Sequence, residues 1–317
     1  MAQDTSAQPG TAAAAQRRFH LSQRQIEELM AYLFISPWII GFLIFTLGAM
    51  IFSLGLSFFS TDLLSTWVFV GPNNYIALFQ DPLFLQALKV TTIYTLATVP
   101  LSTVIALSIS LMLNQGVLFQ GVFRVIYYLP ALVTGVAVAI LWSWVLNPDM
   151  GLLNGFLRAL GVPRAVLPRW FVSEQWALPS LILMSLWGAG GNMLLYLAGL
   201  QSIPTHLYEA ARIDGANPWQ QFWNVTLPML SPTIFFNLVL NFIGSYQVFI
   251  PAYLLTNGGP NNATLTMVLY LFRKSFQQFE FGYASAIAWV LFVIIMVLTL
   301  LIIRSSDAWV YYEGNRR

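Results

Sequence analysis

Six long stretches of this chain have no charged residue in their interior and are apolar enough to cross a membrane as helices. They lie within residues 32–60, 89–113, 124–146, 177–200, 228–255 and 284–303. A bilayer offers no partners to backbone N–H and C=O groups, so spanning segments must form helices or closed barrels. Continuous apolar runs, rather than ten-residue alternation, favour helices. The sequence therefore predicts an all-α membrane protein with six transmembrane helices.

The composition excludes most other classes of protein. The 317 residues are 58% hydrophobic and 8% charged, whereas a soluble domain is about 45–50% apolar and roughly 25% charged. A soluble enzyme and a disordered chain are therefore excluded, and a net charge of +2 argues against a nucleic-acid partner. Membrane lipid is the expected surrounding. The chain has no cysteine, and its two histidines are far apart, which argues against a metal site.

The chain is expected to divide into three parts. Residues 1–21 are rich in Ala, Gln, Thr and Ser and are predicted to be a disordered cytoplasmic N-terminus. Residues 22–305 form the six-span domain, with a capping box at Ser22 and Gln25 starting its first helix. Residues 306–317 form a cytoplasmic tail. Both termini are expected in the cytoplasm, since this orientation leaves eight Lys and Arg residues inside and six outside.

Three connecting segments carry local signals. Asp81 and Pro82 suit the N-cap and first turn of the second span. Apolar residues along 152–160 predict a helix lying at the membrane interface. The Asn-, Gly- and Pro-rich residues 257–262 predict an irregular loop.

The loop at about 201–228 predicts a helix-turn-helix elbow. Residues 203–213 suit two or three helical turns, which Asp214 and Gly215 interrupt because glycine adopts a positive φ at little cost. Asn217 suits an N-cap and Pro218 the first turn of a second short helix.

This elbow carries a family resemblance. Its pattern is Glu209-Ala210-Ala211, three residues, Gly215, nine residues, Val225, one residue, and Leu227-Pro228. It resembles the EAA motif of ABC importer permeases, with Val225 in place of the usual Ile. Further segments resemble the sugar-uptake branch, in its shorter six-span form: Ile35-Ser36-Pro37-Trp38, Asn73-Asn74-Tyr75, Tyr128-Leu129-Pro130, Asn257-Gly258-Gly259-Pro260 and Phe281-Gly282-Tyr283-Ala284-Ser285-Ala286.

The resemblance implies a type I ABC importer permease in the bacterial inner membrane. The implied partners are a second homologous permease subunit, two ATPase subunits and an extracytoplasmic sugar-binding protein. ATP and Mg would be used by the ATPase, and this chain would bind no cofactor; it has no Gly-x-x-x-x-Gly-Lys-Ser/Thr motif. The residues implied to couple to the ATPase are Glu209, Ala210, Ala211, Asp214, Gly215 and Pro228.

Polar residues within the spans are candidates for the substrate path, because they are costly in lipid. Asn237, Asn241 and Ser245 follow one helical face of the fifth span. Amides bond sugar hydroxyls, and aromatic rings cover sugar C–H groups. The full candidate set is Asn237, Asn241, Ser245, Tyr246, Gln247, Ser185, Trp187, Gly188 and Asn192. The alternative is that these residues pack the helices together.

The function predicted is therefore that of a permease subunit of an ATP-driven importer. It would move a sugar or oligosaccharide, or a sugar-like polyol or glycerol phosphate, by alternating access. One alternative is a self-sufficient secondary carrier or channel for a small polar solute, which predicts ionisable residues within the spans or paired broken helices. An intramembrane enzyme would need a nucleophile with a base, and neither histidine lies in a span.

Overall fold

The computed structural model describes residues 22–311. The predictions for residues 1–21 and for the last six residues of the tail lie outside the described residues. The chain divides into two compact units, Met1–Ser53 and Leu54–Arg317.

The described part of the first unit begins with the predicted capping box. Ser22 Oγ accepts a hydrogen bond from Gln25 N at 3.3 Å, and Gln25 Oε1 accepts one from Ser22 N at 2.9 Å. Helix α1 (Gln23–Gly41) follows and continues through a π-helical segment (Phe42–Gly48) into α2 (Ala49–Leu56). This run of 34 residues contains an 18-residue window with a mean hydropathy of 2.4 and is the first candidate span.

A short antiparallel hairpin, β1 (Phe59–Thr61) and β2 (Trp67–Phe69), follows in the second unit, with Ser60 paired to Val68. The helices of this unit are α3 (Asn73–Gln80), α4 (Pro82–Asn114), α5 (Gln120–Leu132), α6 (Gly135–Val145), α7 (Leu152–Ala159), α8 (Glu174–Trp187), α9 (Gly190–Gln201), α10 (Thr205–Ile213), α11 (Pro218–Gln221), α12 (Leu227–Tyr246), α13 (Met267–Phe272) and α14 (Phe281–Ser306). Further π-helical segments lie at Phe222–Thr226, Ala252–Thr256 and Arg273–Gln277, and 3₁₀ turns at Arg164–Val166 and Trp170–Val172.

Among the described residues, four helical runs are long and apolar enough to cross a membrane unaided. They are Gln23–Leu56, Pro82–Asn114, Pro218–Tyr246 and Phe281–Ser306. Two bent pairs, α5 with α6 and α8 with α9, also qualify, and counting each pair as one span gives six. These six correspond to the six apolar stretches of the sequence.

The third and fourth predicted spans are not continuous helices. The axes of α5 and α6 differ by 100°, because the β-branched residues Val133 and Thr134 between them take extended backbone. The axes of α8 and α9 differ by 45°, at a break that contains Gly188. Glycine is a poor helix former, and the helix bends there.

The fifth span begins earlier and ends earlier than predicted. The second helix of the elbow is not separate, since α11, the π-helical segment Phe222–Thr226 and α12 form one run of 29 residues. That run ends at Tyr246 rather than near Leu255. Pro251 explains the earlier end, because its ring clashes with the carbonyl of residue 247 in a continuous helix.

The other local predictions of secondary structure are confirmed. Asp81 is the N-cap of α4, and its Oδ1 accepts a hydrogen bond from Leu83 N at 2.9 Å. Burial opposes ionisation of Asp81, but hydrogen bonds from the Tyr270 and Tyr283 hydroxyls and from backbone N–H groups outweigh it and lower the pKa of Asp81. Helix α7 forms at the predicted position, and the 257–262 loop is irregular, with positive φ at Asn257, Gly258, Asn261 and Asn262.

Helix α4 organises the second unit. One core cluster joins α4 to α8, α12, α13 and α14 and includes Phe84, Leu181 and Ile287. A second cluster joins α4, α9 and α12 and includes Ala106, Tyr196 and Leu230. These helices enclose a cavity between them. They also pack against the elbow through the second cluster.

Candidate functional site

A cavity of about 310 Å³ lies between α4, the α8/α9 pair and α12. Its lining is dominated by hydroxyl, amide and small side chains: Tyr94, Thr98, Val99, Ser102, Ser185, Gly188, Ala189, Asn192, Leu240, Asn241, Gly244, Ser245 and Val248. None of these described residues carries a formal charge. The cavity is therefore suited to an uncharged polar ligand.

Two asparagines meet at the cavity from different helices. Asn192 Nδ2 on α9 donates a hydrogen bond to Asn241 Oδ1 on α12 at 3.0 Å. Asn241 Nδ2 is buried, and no described residue accepts a hydrogen bond from it. An unpaired buried donor costs about 1–3 kcal/mol.

Three more predicted residues also line the cavity. Ser185 Oγ donates to Ile182 O at 2.7 Å, and Ser245 Oγ donates to Phe242 O at 3.0 Å. Each hydroxyl donates its hydrogen bond to a backbone carbonyl of its own helix. Its lone pairs can therefore accept a hydrogen bond from a ligand. Gly188 lines the cavity at the bend between α8 and α9.

The other four predicted residues lie elsewhere. Asn237 is 1% exposed and donates to Thr233 O of its own helix at 3.0 Å. The hydroxyl of Tyr246 lies 3.2 Å from Thr92 Oγ1, within the core. Gln247 lines an apolar groove between α12, α13 and α14, and the Trp187 ring packs edge-on against Trp142 with centroids 6.1 Å apart.

Helix geometry explains why Asn237 is separated from Asn241 and Ser245. A four-residue step turns an α-helix by about 400°, so each step rotates the side chain about 40° from the previous one. Over two steps the face drifts by about 80°, which moves one end of a three-residue stripe off the cavity. The spacing alone does not tell which end.

Sequence reasoning missed the wall formed by α4. Tyr94, Thr98 and Ser102 line the cavity and follow the same i, i+4, i+8 spacing as the residues predicted on α12. Applying that test to the second apolar stretch would have found them. Tyr94 is 5% exposed and supplies the aromatic ring of the cavity lining.

The first helix and the turn of the elbow have the predicted form. Ala216 N donates to Ala211 O at 2.8 Å and Gly215 N donates to Arg212 O at 3.0 Å, the bonding pattern of a Schellman cap. Gly215 has φ +80°, which favours glycine. Asn217 and Gln220 form a reciprocal capping box that starts α11.

One side of the elbow is exposed and the other is packed. Glu209, Ala210, Asp214 and Gly215 are exposed, whereas Ala211 and Pro228 are half-buried. Large apolar side chains are exposed beside them, with Ile213 at 87%. The opposite side packs Leu207, Tyr208, Val225 and Met229 against the second core cluster.

The described residues contain no group of three or more His, Cys, Asp or Glu side chains that could hold a metal ion. The elbow and the cavity bring together most of the predicted site residues. One presents an exposed, mixed apolar and charged face, and the other an uncharged hydrogen-bonding cavity.

Comparison with known proteins gives consistent matches. Residues 98–310 match the family described as binding-protein-dependent transport system inner membrane component. The probable ABC transporter permease protein YesP of Bacillus subtilis is 44% identical over 293 residues, covering 91% of this chain and 94% of the relative. The lactose transport system permease protein LacF of Rhizobium radiobacter is 37% identical, covering 74% of this chain and 79% of the relative.

A solved structure matches most of the chain. It is a bacterial alginate ABC transporter in complex with an alginate pentasaccharide-bound periplasmic protein. The matched chain has a TM-score of 0.78 and 28% identity, and the match covers 90% of this chain and 96% of that one.

Proposed function

This chain belongs to the family of binding-protein-dependent transport system inner membrane components, and we propose that it moves a neutral sugar through the cavity between α4, α8/α9 and α12. It is a permease subunit of an ABC sugar importer and not an enzyme. Transport proceeds by alternating access, driven by ATP hydrolysis on a separate chain.

The observation that carries this proposal is the Asn192–Asn241 pair. Both residues line a cavity whose described lining has hydroxyl and amide groups but no formal charge. Such a lining favours the hydroxyls of a neutral sugar over an acidic polysaccharide or glycerol phosphate. The volume of about 310 Å³ is at the lower end of the range for ligand pockets, about 300–1,000 Å³, and suits a sugar of one or a few units.

The partners proposed are a second homologous permease, two ATPase subunits that use ATP and Mg, and an extracytoplasmic sugar-binding protein. A binding protein is supported by the alginate transporter, whose complex includes a periplasmic protein. The exposed face of the elbow supports an ATPase contact, because Ile213 and Trp219 would be covered there and Glu209 would meet a basic residue. A self-sufficient carrier or channel is not favoured by the family match.

Asn241→Leu is expected to reduce sugar uptake at limiting sugar by about 5- to 150-fold, because a hydrogen-bonding site that loses one partner loses about 1–3 kcal/mol. Uptake would be measured in proteoliposomes with the neutral sugar that the companion binding protein retains from a panel. Asn237→Leu is the matched control, since that amide bonds only within its own helix. Equal uptake by wild type and Asn241→Leu, in complexes of equal thermal stability, would reject the cavity as the sugar path.

The topology predicts the labelling pattern of two single cysteines. Arg212 and Asn261 are both exposed, and the chain has no native cysteine to remove. With the elbow and both termini in the cytoplasm, Arg212→Cys should resist an impermeant maleimide applied outside the cell, whereas Asn261→Cys should react. In inside-out vesicles, Arg212→Cys should react until the ATPase is bound. The reverse pattern in intact cells would contradict the orientation and the ATPase contact together.

A further inference from the structure

We propose that the hydrogen-bonded hydroxyls of Tyr208 and Thr226 are the joint that transmits movement of the elbow to the helix bearing Asn241. The proposal rests on the function proposed above, because the movement originates in the ATPase. Both residues are positioning residues that touch neither the sugar nor ATP.

The pair joins the two arms of the elbow. Tyr208 lies on α10, and its Oη lies 3.0 Å from Thr226 Oγ1 at the end of the π-helical segment. Thr226 is 6% exposed and Tyr208 is half-buried, so this bond is partly shielded from competing water. Gln221 Nε2 donates to Ala216 O at 2.8 Å and closes the turn between the two arms.

The remaining contacts between the arms are not directional. Leu207, Val225 and Met229 pack against the same apolar cluster, and such contacts tolerate sliding and small rotations. Among the described residues, the Tyr208–Thr226 bond is the one side-chain hydrogen bond from α10 to the helical run Pro218–Tyr246. It therefore fixes the angle at which α10 meets that run.

The helix beyond Thr226 leads directly to the cavity. The run Pro218–Tyr246 is unbroken, and Asn241 lies about 22 Å beyond Thr226 along the same axis. The π-helical geometry places Gln221 O within 3.4 Å of Thr226 Oγ1, five residues later. Such π segments occur often at functional sites. A rotation applied at Thr226 is thus carried as a rigid-body movement to Asn241 and Ser245.

The test uses the complete complex with its companion permease and ATPase, and it needs no sugar. Ser245→Cys, placed in the cavity, reports its accessibility through its rate of reaction with a maleimide. The rate is measured without nucleotide and after trapping with MgATP and orthovanadate. The trapped state should change the labelling rate in the reporter background. Tyr208→Phe or Thr226→Val should shrink that change about threefold to tenfold, the effect of one lost hydrogen bond.

Three further variants separate a joint from a merely structural contact. The double variant Tyr208→Phe/Thr226→Val should be no worse than either single variant, because both remove the same bond. Thr226→Ser keeps a hydroxyl and should restore the response. Tyr75→Phe is the matched control, since it removes a hydroxyl bond of the same kind, to Ser57 Oγ at 2.7 Å, outside the elbow.

The outcomes distinguish the joint from the elbow as a whole. Gly215→Val in the same reporter background should abolish the nucleotide-dependent change. If it does so while Tyr208→Phe and Thr226→Val keep the full response, the joint is refuted and the elbow contact stands. If Gly215→Val also keeps the full response, the proposed coupling role of the elbow is refuted. If Tyr75→Phe lowers the nucleotide-dependent change as much as Tyr208→Phe does, the Tyr208–Thr226 bond contributes only to general packing.

Discussion

Gly190→Ala is expected to prevent stable packing of α5 against α9. A Cβ atom at Gly190 would coincide with the carbonyl group of Tyr127 on α5, and a backbone group cannot rotate away as a side chain can. Over-packing of this kind costs about 1–3 kcal/mol or more. For a chain of this size, a loss of about 1–3 kcal/mol lowers the midpoint of thermal unfolding by roughly 2–5 °C. The measurement is thermal unfolding and yield of the purified complex.

Gly188→Ala is the matched control for this prediction. It lies two residues away at the same bend, and the nearest atom to its added Cβ is Ser185 O at an ordinary 3.5 Å. It should therefore change the unfolding midpoint by less than Gly190→Ala does. Equal stability of wild type and Gly190→Ala would contradict the close approach of α5 and α9.

Signals that act within a few residues could be predicted from the sequence. Ser22, Asp81 and Asn217 cap the helices that they were predicted to cap, because each hydrogen bond closes on a backbone N–H two or three residues away. The positive φ of Gly215 likewise follows from its place between two helical segments. Hydropathy located the six apolar stretches, since a bilayer acts on each one separately.

Features that depend on neighbouring helices could not be predicted in the same way. The 100° bend between α5 and α6 lies at two β-branched residues. Such residues are also common in straight spans, so their presence does not predict a bend. The choice among Asn237, Asn241 and Ser245 depends on how α12 is rotated towards α4 and α9. That rotation is set by packing across three helices, and hydrophobic periodicity is weak where most residues are apolar.

The elbow shows how local and tertiary information combine. Its turn and caps follow from Gly215, Asn217 and Pro218, but its continuation into α12 does not. That continuation depends on Phe222–Thr226 taking π-helical form rather than ending the helix. The contact of Tyr208 with Thr226 then follows from the folded elbow, since the two residues lie on opposite sides of the turn.

Gly215→Val is expected to reduce both uptake and binding-protein-stimulated ATP hydrolysis by about tenfold or more, because a β-branched residue at positive φ costs on the order of 2 kcal/mol or more. Gly215 has φ +80°, and no atom lies within 4 Å of an added Cβ. The substitution therefore acts through the backbone alone and not through a clash. Valine would open the cap at Ala211 and Arg212 and turn the exposed face of α10 away from the proposed ATPase contact.

Gly215→Asn distinguishes the backbone strain of a β-branched residue at positive φ from the mere presence of a side chain at position 215. Asparagine adopts the left-handed conformation several-fold more readily than other residues, so this variant should keep most of the stimulated hydrolysis. The measurement compares both variants in proteoliposomes at matched amounts of assembled complex. Full stimulation in Gly215→Val would show that the turn at Gly215 does not govern coupling. Equal loss in both variants would instead assign the effect to the added side chain at the proposed ATPase contact.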